Sequence, residues 1–364
     1  MVIYLLMIIG VPKEIKNHEY RVAVTPAGAA EILKDGHQLI VEKSAGTGSG
    51  FTDGDYLKEG ALVADRDRLF HESELIVKVK EPLPEEYDSF RTGQALFTYL
   101  HLASVPELTR MLLDKEITAF AYETLEIEGR LPLLAPMSEV AGKMAPLMGA
   151  YYLQKIHGGA GLLVSGAEGV EPAKVLILGA GVVGKGALQV AFGMGADVTV
   201  INRGEAKLRE IDTLYKGRVR TVLSTAENIA TEAVKTDILI GAVLVTGAKA
   251  PKLVSRELVS RMKKGSVIVD VSVDQGGCVE TTKPTTHHDP VYTVDGVIHY
   301  TVANMPGAYP RTSTLALTNK TIEYVKLLAN HGIEESVHSE PFRSALNTYK
   351  GEITHEAVQM SFRG

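Results

Sequence analysis

Three glycines in the stretch VLILGAGVVGKG fall at Gly179, Gly181 and Gly184, the spacing G-x-G-x-x-G. They follow an apolar run and open a helix-forming segment, so the pattern reads as the phosphate-binding turn of a dinucleotide site. The first glycine permits a tight turn, the second lets the backbone approach a pyrophosphate, and the third lets helix and strand pack closely. The helix N-terminus adds N–H groups and the positive end of a dipole. The same residues match the opening of a P-loop, but Gly186 stands where the magnesium-binding hydroxyl would be. Lys185 then reads as a solvated residue in the first turn of the helix. Downstream, INRG at 201–204 occupies the place where such a unit usually holds an acidic residue that grips a ribose. Asn202 removes the carboxylate that repels the extra phosphate of NADP, and Arg203 adds a cation able to pair with a 2′-phosphate. An Arg203 turned to solvent beside an Asn202 bonded to ribose is an equal reading, so the choice between NAD and NADP stays open.

Four further polar residues lie beside apolar runs: Arg21 before VAVTP, Lys80 in LIVKVKEP, His101 in LFTYLHLA and Asp274 in VIVDVSVDQGG. Lys80, His101 and Asp274 fall at or near the ends of predicted strands, where ligands bind in open α/β sheets. Each has a plainer alternative. A strand lysine protects a sheet edge, a single histidine is structural, an aspartate after a strand caps a helix or makes a turn, and Arg21 is a surface cation. The HHD at 287–289 lacks the helical spacing of a metal site and reads as a loop. Cys278, in GGCVE with no histidine close in sequence, reads as a small packing residue rather than a nucleophile.

The elements that must hold these residues alternate. IIGV at 8–11, QLIVEK at 38–43, LIVKVKEP at 75–82, ALFTYLHL at 95–102 and ITAFAYETL read as strands. PAGAAEILKDG at 26–36, DGDYLKEGA and SVPELTRMLLDKE read as helices, the last capped by Ser104. A longer helix over 137–157 leads to a second series, from VLILGAG through DVTVIN, VRTVLS, TDILIGAVLV, SVIVDVS and VIHYTVAN. From Pro306 onward the chain reads as mostly helical and too short for a domain of its own. The expected fold is α/β, with two doubly wound Rossmann-like domains, a cleft between them and a discontinuous N-terminal domain. Residues 1–134 plus 307–364 would form a substrate and catalytic domain, and 135–306 a dinucleotide-binding domain.

Bulk properties narrow the function classes. The 364 residues suffice for two domains. A net charge of −6 without any basic block argues against a nucleic-acid surface. One cysteine excludes an intrachain disulfide and a cysteine-rich zinc site, and suits a reducing, cytoplasmic setting. The apolar start, MVIYLLMII, is shorter than the roughly 20 residues of a membrane span and lacks the positive leading region of a signal peptide. Residues 1–6 read as an upstream start or an extension without function.

The blocks KNHEYRVAVTPAG, VKEP, FTYLHLA, LLAPMSEVAG, GAVLVTGAKAPKLVS, DVSVDQGGC and VANMPGAYPRTST together resemble the bacterial alanine dehydrogenase family, from about Met7 to the C-terminus. The related alpha subunit of proton-translocating transhydrogenase shares the two-domain fold, whereas FTYLHLA and the DQGG block look like the dehydrogenase. The resemblance implies reversible oxidative deamination of L-alanine to pyruvate and ammonium, with hydride passed to a nicotinamide, in a soluble homohexamer. It implies that Arg21 and Lys80 hold the substrate, that His101 and Asp274 form the acid/base pair, and that Met137 lines the substrate pocket. It places Ser138, Gly179, Gly181, Gly184, Ser224, Val243, Leu244, Asn304 and Met305 against the cofactor. The family's usual residue at position 202 is Asp, so Asn202 puts the NAD preference, not the reaction, in question. No metal, nucleic acid or membrane is expected. Two competing functions are a transhydrogenase-like subunit working with a membrane partner and a dehydrogenase for a larger amino acid or opine.

Overall fold

The computed structural model describes residues 6–102, 105–243 and 249–363, the last three by backbone alone. Ser104, Leu244 and most of the 1–6 extension lie outside the described residues. The chain divides into two compact units, Met1–Met137 with Tyr309–Gly364, and Ser138–Ala308.

The first unit opens with β1 (Ile8–Val11), α1 (Pro26–Lys34), β2 (Gln38–Glu42), α2 (Asp53–Lys58), β3 (Leu62–Ala64) and α3 (Arg66–Glu72). It continues with β4 (Leu75–Val77), α4 (Pro84–Tyr87), β5 (Ala95–Thr98), α5 (Pro106–Asp114), β6 (Thr118–Ala121) and the first turn of α6 (Ala135–Tyr152). The helix starts follow local chemistry. Thr25 caps α1 by accepting from Gly28 N–H, ahead of Pro26, and Thr52 and Asp55 make a reciprocal capping box on α2. Such caps contribute about 1 kcal/mol each.

The second unit holds β7 (Lys174–Leu178), α7 (Val182–Gly193), β8 (Asp197–Asn202), α8 (Glu205–Tyr215), β9 (Arg220–Leu223) and α9 (Ala226–Ala233). After these come β10 (Ile238–Gly241), α10 (Arg256–Ser260), β11 (Val267–Asp270), β12 (Val291–Val294) and β13 (Val297–Tyr300). The chain then returns to the first unit through α11 (Pro310–His331), α12 (Ile333–Ser336), α13 (Phe342–Ala345), β14 (Leu346–Tyr349), β15 (Glu352–Ile353) and α14 (Glu356–Arg363).

Each unit carries one sheet, and both sheets share a winding. In the first, the parallel strands run β3-β2-β1-β4-β5-β6, and antiparallel β14 and β15 extend the β6 edge. In the second they run β9-β8-β7-β10-β11-β13, with β12 antiparallel on the outer edge. Numbered within each unit, both parallel sets follow the doubly wound order 3-2-1-4-5-6, whose direction of travel reverses between the first and fourth strands. The strands are apolar on both faces. Val175, Ile177, Val198 and Val200 enter one core, while Leu176, Leu178 and Ile201 enter the core on the opposite face. Two buried faces explain runs such as KVLIL that do not alternate.

The structure revises several elements expected from sequence. The tail is mostly helical, as expected, but LNTY and EI within it form β14 and β15 and join the first sheet. Strands β4 and β5 end at Val77 and Thr98, so Lys80 and His101 lie past them in loops. Because β4 and β5 are interior strands, Lys80 does not guard an edge.

Candidate active site

In the first unit, Arg21, Lys80 and His101 sit on the loops that leave the carboxyl ends of β1, β4 and β5, three neighbouring parallel strands. The loops of Arg21 and Lys80 flank the point where the strand order reverses. Arg21 is 2% exposed, which rules out a surface cation. Its Nε donates to Glu19 Oε1 at 2.6 Å, its backbone N–H to the same oxygen at 3.1 Å, and Nη1 to Met137 Sδ at 3.0 Å. Burial pulls the guanidinium down, but the Glu19 carboxylate more than reverses this and holds it above its ordinary value. The tail braces this loop: Thr314 Oγ1, on α11, accepts from Val22 N–H at 3.2 Å.

The Lys80 loop rests on a buried ionic group that sequence reasoning missed. Lys78 Nζ, fully buried, donates to Glu14 Oε2 at 3.1 Å and Glu86 Oε1 at 2.9 Å. The other Glu14 oxygen accepts from Val79 N–H at 2.7 Å and from Lys80 N–H at 3.3 Å. Burial works to lower the Lys78 ammonium, and the two carboxylates outweigh it, so its pKa is raised and the charge is kept. Glu81 pairs with Lys16. Burial pushes its carboxyl up, yet Lys80, Lys16 and His101 together hold it below the ordinary carboxylate range.

His101 stands in the left-handed region at φ 52°, which is uncommon for a residue with a side chain. Glu123, on the loop after β6, accounts for the conformation: its Oε1 accepts from Leu100 N–H at 3.1 Å and His101 N–H at 2.6 Å, and lies 3.9 Å from His101 Nδ1. The imidazole is 40% exposed and stacks along Tyr99, ring centroids 6.1 Å apart and 9° from parallel. Tyr99 is buried, donates to Leu133 O at 2.6 Å, and has its phenol pKa raised by that burial.

In the second unit, the glycine turn joins β7 to α7. Gly179 lies at φ 109°, and a Cβ there would meet Ala242 O at 2.4 Å; a Cβ on Gly184 would meet Gly179 O at 1.9 Å. Gly181 differs, because a Cβ there would meet nothing within 4 Å. Gly181 is also the N-cap of α7 and offers no side-chain cap. The turn therefore leaves open space beside helix N–H groups at the strand-order reversal, and these residues fit the pyrophosphate of a dinucleotide. Lys185 lies in the first turn of α7 and pairs with Glu210 at 2.6 Å.

Asn202, at the end of β8, turns both ends of its amide to the backbone. Oδ1 accepts from Ala180 N–H at 3.1 Å, and Nδ2 donates to Gly204 O at 3.0 Å. Arg203 is exposed. Ser224, beyond β9, donates its N–H to Asn202 O at 3.0 Å. Ser138 lies in the first turns of α6. Asn304, at φ 64°, uses its carbonyl to accept from His287 Nε2 at 3.1 Å, and Met305 is buried in the 3-10 turn that follows. The HHD stretch forms bends in a loop, and no group of three or more His, Cys, Asp or Glu among the described residues is placed to hold a metal.

Asp274 is exposed in the 3-10 turn Val271–Gln275 after β11. Beneath it lies Asp270, which sequence reasoning passed over as part of an apolar strand. Asp270 is fully buried and accepts from Ser272 N–H at 3.1 Å, Cys278 N–H at 2.9 Å, Val279 N–H at 3.2 Å and Thr282 Oγ1–H at 2.6 Å. Burial pushes its carboxyl up from the ordinary range, while these donors work against the shift. Cys278 Sγ is 3.6 Å from Asp270 Oδ1; burial and that neighbour push its thiol far up, so it stays protonated and unsuited to nucleophilic attack.

The chain is similar to known proteins over nearly its whole length. Family models described as the alanine dehydrogenase/PNT N-terminal and C-terminal domains match residues 10–141 and 145–356. The chain is 53% identical to an alanine dehydrogenase of Halomonas elongata over 359 residues, covering 98% of this chain and 97% of the relative. It is 53% identical to an alanine dehydrogenase of Bacillus subtilis over 356 residues, covering 97% and 94%. Its fold matches a solved L-alanine dehydrogenase with a TM-score of 0.95 at 48% identity, covering 98% of this chain and 99% of that one. A transhydrogenase from Sinorhizobium meliloti matches with a TM-score of 0.83 at 27% identity, covering 96% and 99%.

Proposed function

The chain belongs to the alanine dehydrogenase/PNT family, and from that premise we propose that it is an L-alanine dehydrogenase, an oxidoreductase that deaminates L-alanine to pyruvate and ammonium and runs in reverse. The observation that carries the reading is the pair of sheets with one winding. One has Arg21 and Lys80 at its strand-order reversal, and the other has the glycine turn at its own. Identity near half to alanine dehydrogenases over almost the whole chain, against 27% to a transhydrogenase, favours the amino-acid reaction over a transhydrogenase subunit.

The residues divide the work. Arg21, charged and locked by Glu19, takes the substrate carboxylate with the ammonium of Lys80 beside it, as two cations that fix one pose. Met137, in contact with the Arg21 guanidinium, limits the space at that end. The glycine turn, Asn202, Ser224, Val243, Asn304 and Met305 would hold the dinucleotide, which when bound would supply the acceptor for the hydride of Cα. Water then attacks the substrate iminium. His101 takes the water's proton and returns one to the departing amine, work an imidazole can do in both directions, and Asp274 relays protons at the exposed turn. Glu81, held anionic by Lys80, Lys16 and His101, puts a negative charge close to the two cation-bearing loops.

NAD is the cofactor in this reading, and NADP is accepted too, because no carboxylate stands at position 202. Asn202 is engaged with its own turn, which leaves Arg203 as the group that reaches a 2′-phosphate. The test is the initial rate with L-alanine while NAD and NADP are titrated separately, repeated in Asn202→Asp. Measurable kcat/KM with NADP that falls in the variant is the expected result. Turnover with NAD alone in both proteins removes the NADP part, and no turnover with either cofactor overturns the assignment. A homohexamer in the cytoplasm completes the proposal. Exposed Tyr151, Ile156, Leu162, Leu163 and Val170 favour self-association, and no helix among the described residues is long and apolar enough to cross a membrane.

A further inference from the structure

We propose that Asp270 is a positioning residue: its buried carboxylate clamps both ends of the 271–279 loop and so sets where Asp274 stands. The inference rests on the reading of Asp274 as a proton carrier. Donors to this one carboxylate come from both flanks of the loop: Ser272 before Asp274, then Cys278, Val279 and Thr282 after it. The loop closes further where Gly277 N–H bonds Ser272 O at 3.0 Å and Gly276 N–H bonds Val273 O at 2.9 Å. Asp274 therefore rides on a short closed ring whose clasp is Asp270.

The surroundings are shaped for the carboxylate. A Cβ on Gly241 would come within 2.6 Å of Asp270 Oδ1, and one on Gly277 within 2.6 Å of Oδ2. Gly277 also lies at φ 75°, where a side chain is strained. Ser272, Cys278, Val279 and Thr282 all donate, so both oxygens serve as acceptors and an amide in their place would face N–H groups with its own NH2. The clasp extends to a second loop. Ser272 Oγ donates to Val243 O at 2.7 Å and accepts from Val243 N–H at 3.1 Å, which ties the turn after β11 to the segment after β10. Strand ends that differ by 29 residues are thereby held in one register.

The geometry gives a kinetic signature separate from plain stability. Asp270→Asn should lower kcat for L-alanine by about 100-fold, as small misplacements of a reacting group do. KM, and the dissociation constant of NADH titrated by its fluorescence, should change little. Amide hydrogen exchange at 272–279 should speed up. Asp270→Asn added to Asp274→Asn should cost nothing beyond Asp274→Asn alone, since a residue acting only through another is not additive with it. Additive losses, or kcat in Asp270→Asn equal to the parent, overturn the inference. Undiminished turnover in Asp274→Asn overturns the proton-carrier reading first and the inference with it. An inactive Asp274→Asn beside an unimpaired Asp270→Asn overturns the inference alone. If Asp270→Asn does not fold, Thr282→Val carries the test by removing one hydroxyl donor at nearly constant shape. A lowered kcat with unchanged NADH binding supports the clasp, and parental kcat overturns it.

Discussion

Arg21 and His101 are each held by a carboxylate that leaves the side chain little choice. The Glu19 carboxylate accepts from both the guanidinium and the backbone N–H of Arg21, and Glu123 fixes the His101 backbone in a left-handed conformation. In Glu123→Gln, one of the two acceptor oxygens becomes an NH2 that opposes the N–H groups of Leu100 and His101. The histidine loop then loses its brace, and kcat/KM for L-alanine should fall about tenfold, equivalent to about 1.4 kcal/mol. Steady-state kinetics with the cofactor saturating reads this out, and an unchanged kcat/KM would show that the brace is dispensable. The sequence made His101 visible because an imidazole at the end of an apolar run is chemically conspicuous. Glu123 was not visible, because its contact crosses from one strand's loop to the next over 22 residues. The Glu14–Lys78–Glu86 group is hidden for the same reason, with Glu14 and Lys78 separated by 64 residues.

Elements with two buried faces were the most legible. IIGV and QLIVE are strands because an unbroken apolar run of that length has both faces covered. Strand ends were less legible: VKVK and TYLH continue the apolar pattern, but the strands stop at Val77 and Thr98, and the side chains of Lys78 and Tyr99 are taken up by Glu14, Glu86 and Leu133 O. Strand β14 was hidden by its composition, since LNTY is half polar; Asn347 and Thr348 are buried with their hydrogen bonds accepted by Thr124 Oγ1 and Ala345 O and by Ile117 O. The β12–β13 hairpin offers a test at this scale. His299, buried on β13, donates from Nδ1 to Val297 O at 3.0 Å and sits 2.7 Å from Thr281 Oγ1 through Nε2. Burial lowers its pKa from the ordinary 6.5, so the folded state resists protonation more than the unfolded chain does. The stability this group contributes is present above 6.5 and is lost as pH falls below it. His299→Gln should therefore flatten the fall of Tm between neutral and mildly acidic pH by about 1–2 °C. Equal slopes for parent and variant in thermal melts across that range would remove His299 as a source of acid sensitivity.

At the scale of the whole molecule, the proposed homohexamer turns on apolar side chains that the second unit leaves exposed, among them Ile156 at 83% and Leu163 at 68%. A charge placed there opposes burial in an interface at a cost of several kcal/mol. Leu163→Asp should lower the mass measured by light scattering from that of a hexamer to that of smaller species, and an unchanged mass would move the interface elsewhere. The repeated winding was legible as an alternation of strands and helices, whereas the division of one sheet between the two ends of the chain was not, because no local pattern records which strand β14 will join. That division has a consequence during synthesis. Thr348 Oγ1 donates to Ile117 O across 231 residues of chain, so the β6 edge waits for its neighbour while the entire second unit is translated. At about 5–20 residues per second, that edge stays bare on the ribosome for on the order of ten seconds or more. The nascent chain thus exposes an unpaired strand edge, the kind of surface that recruits wrong partners, until β14 emerges to cover it.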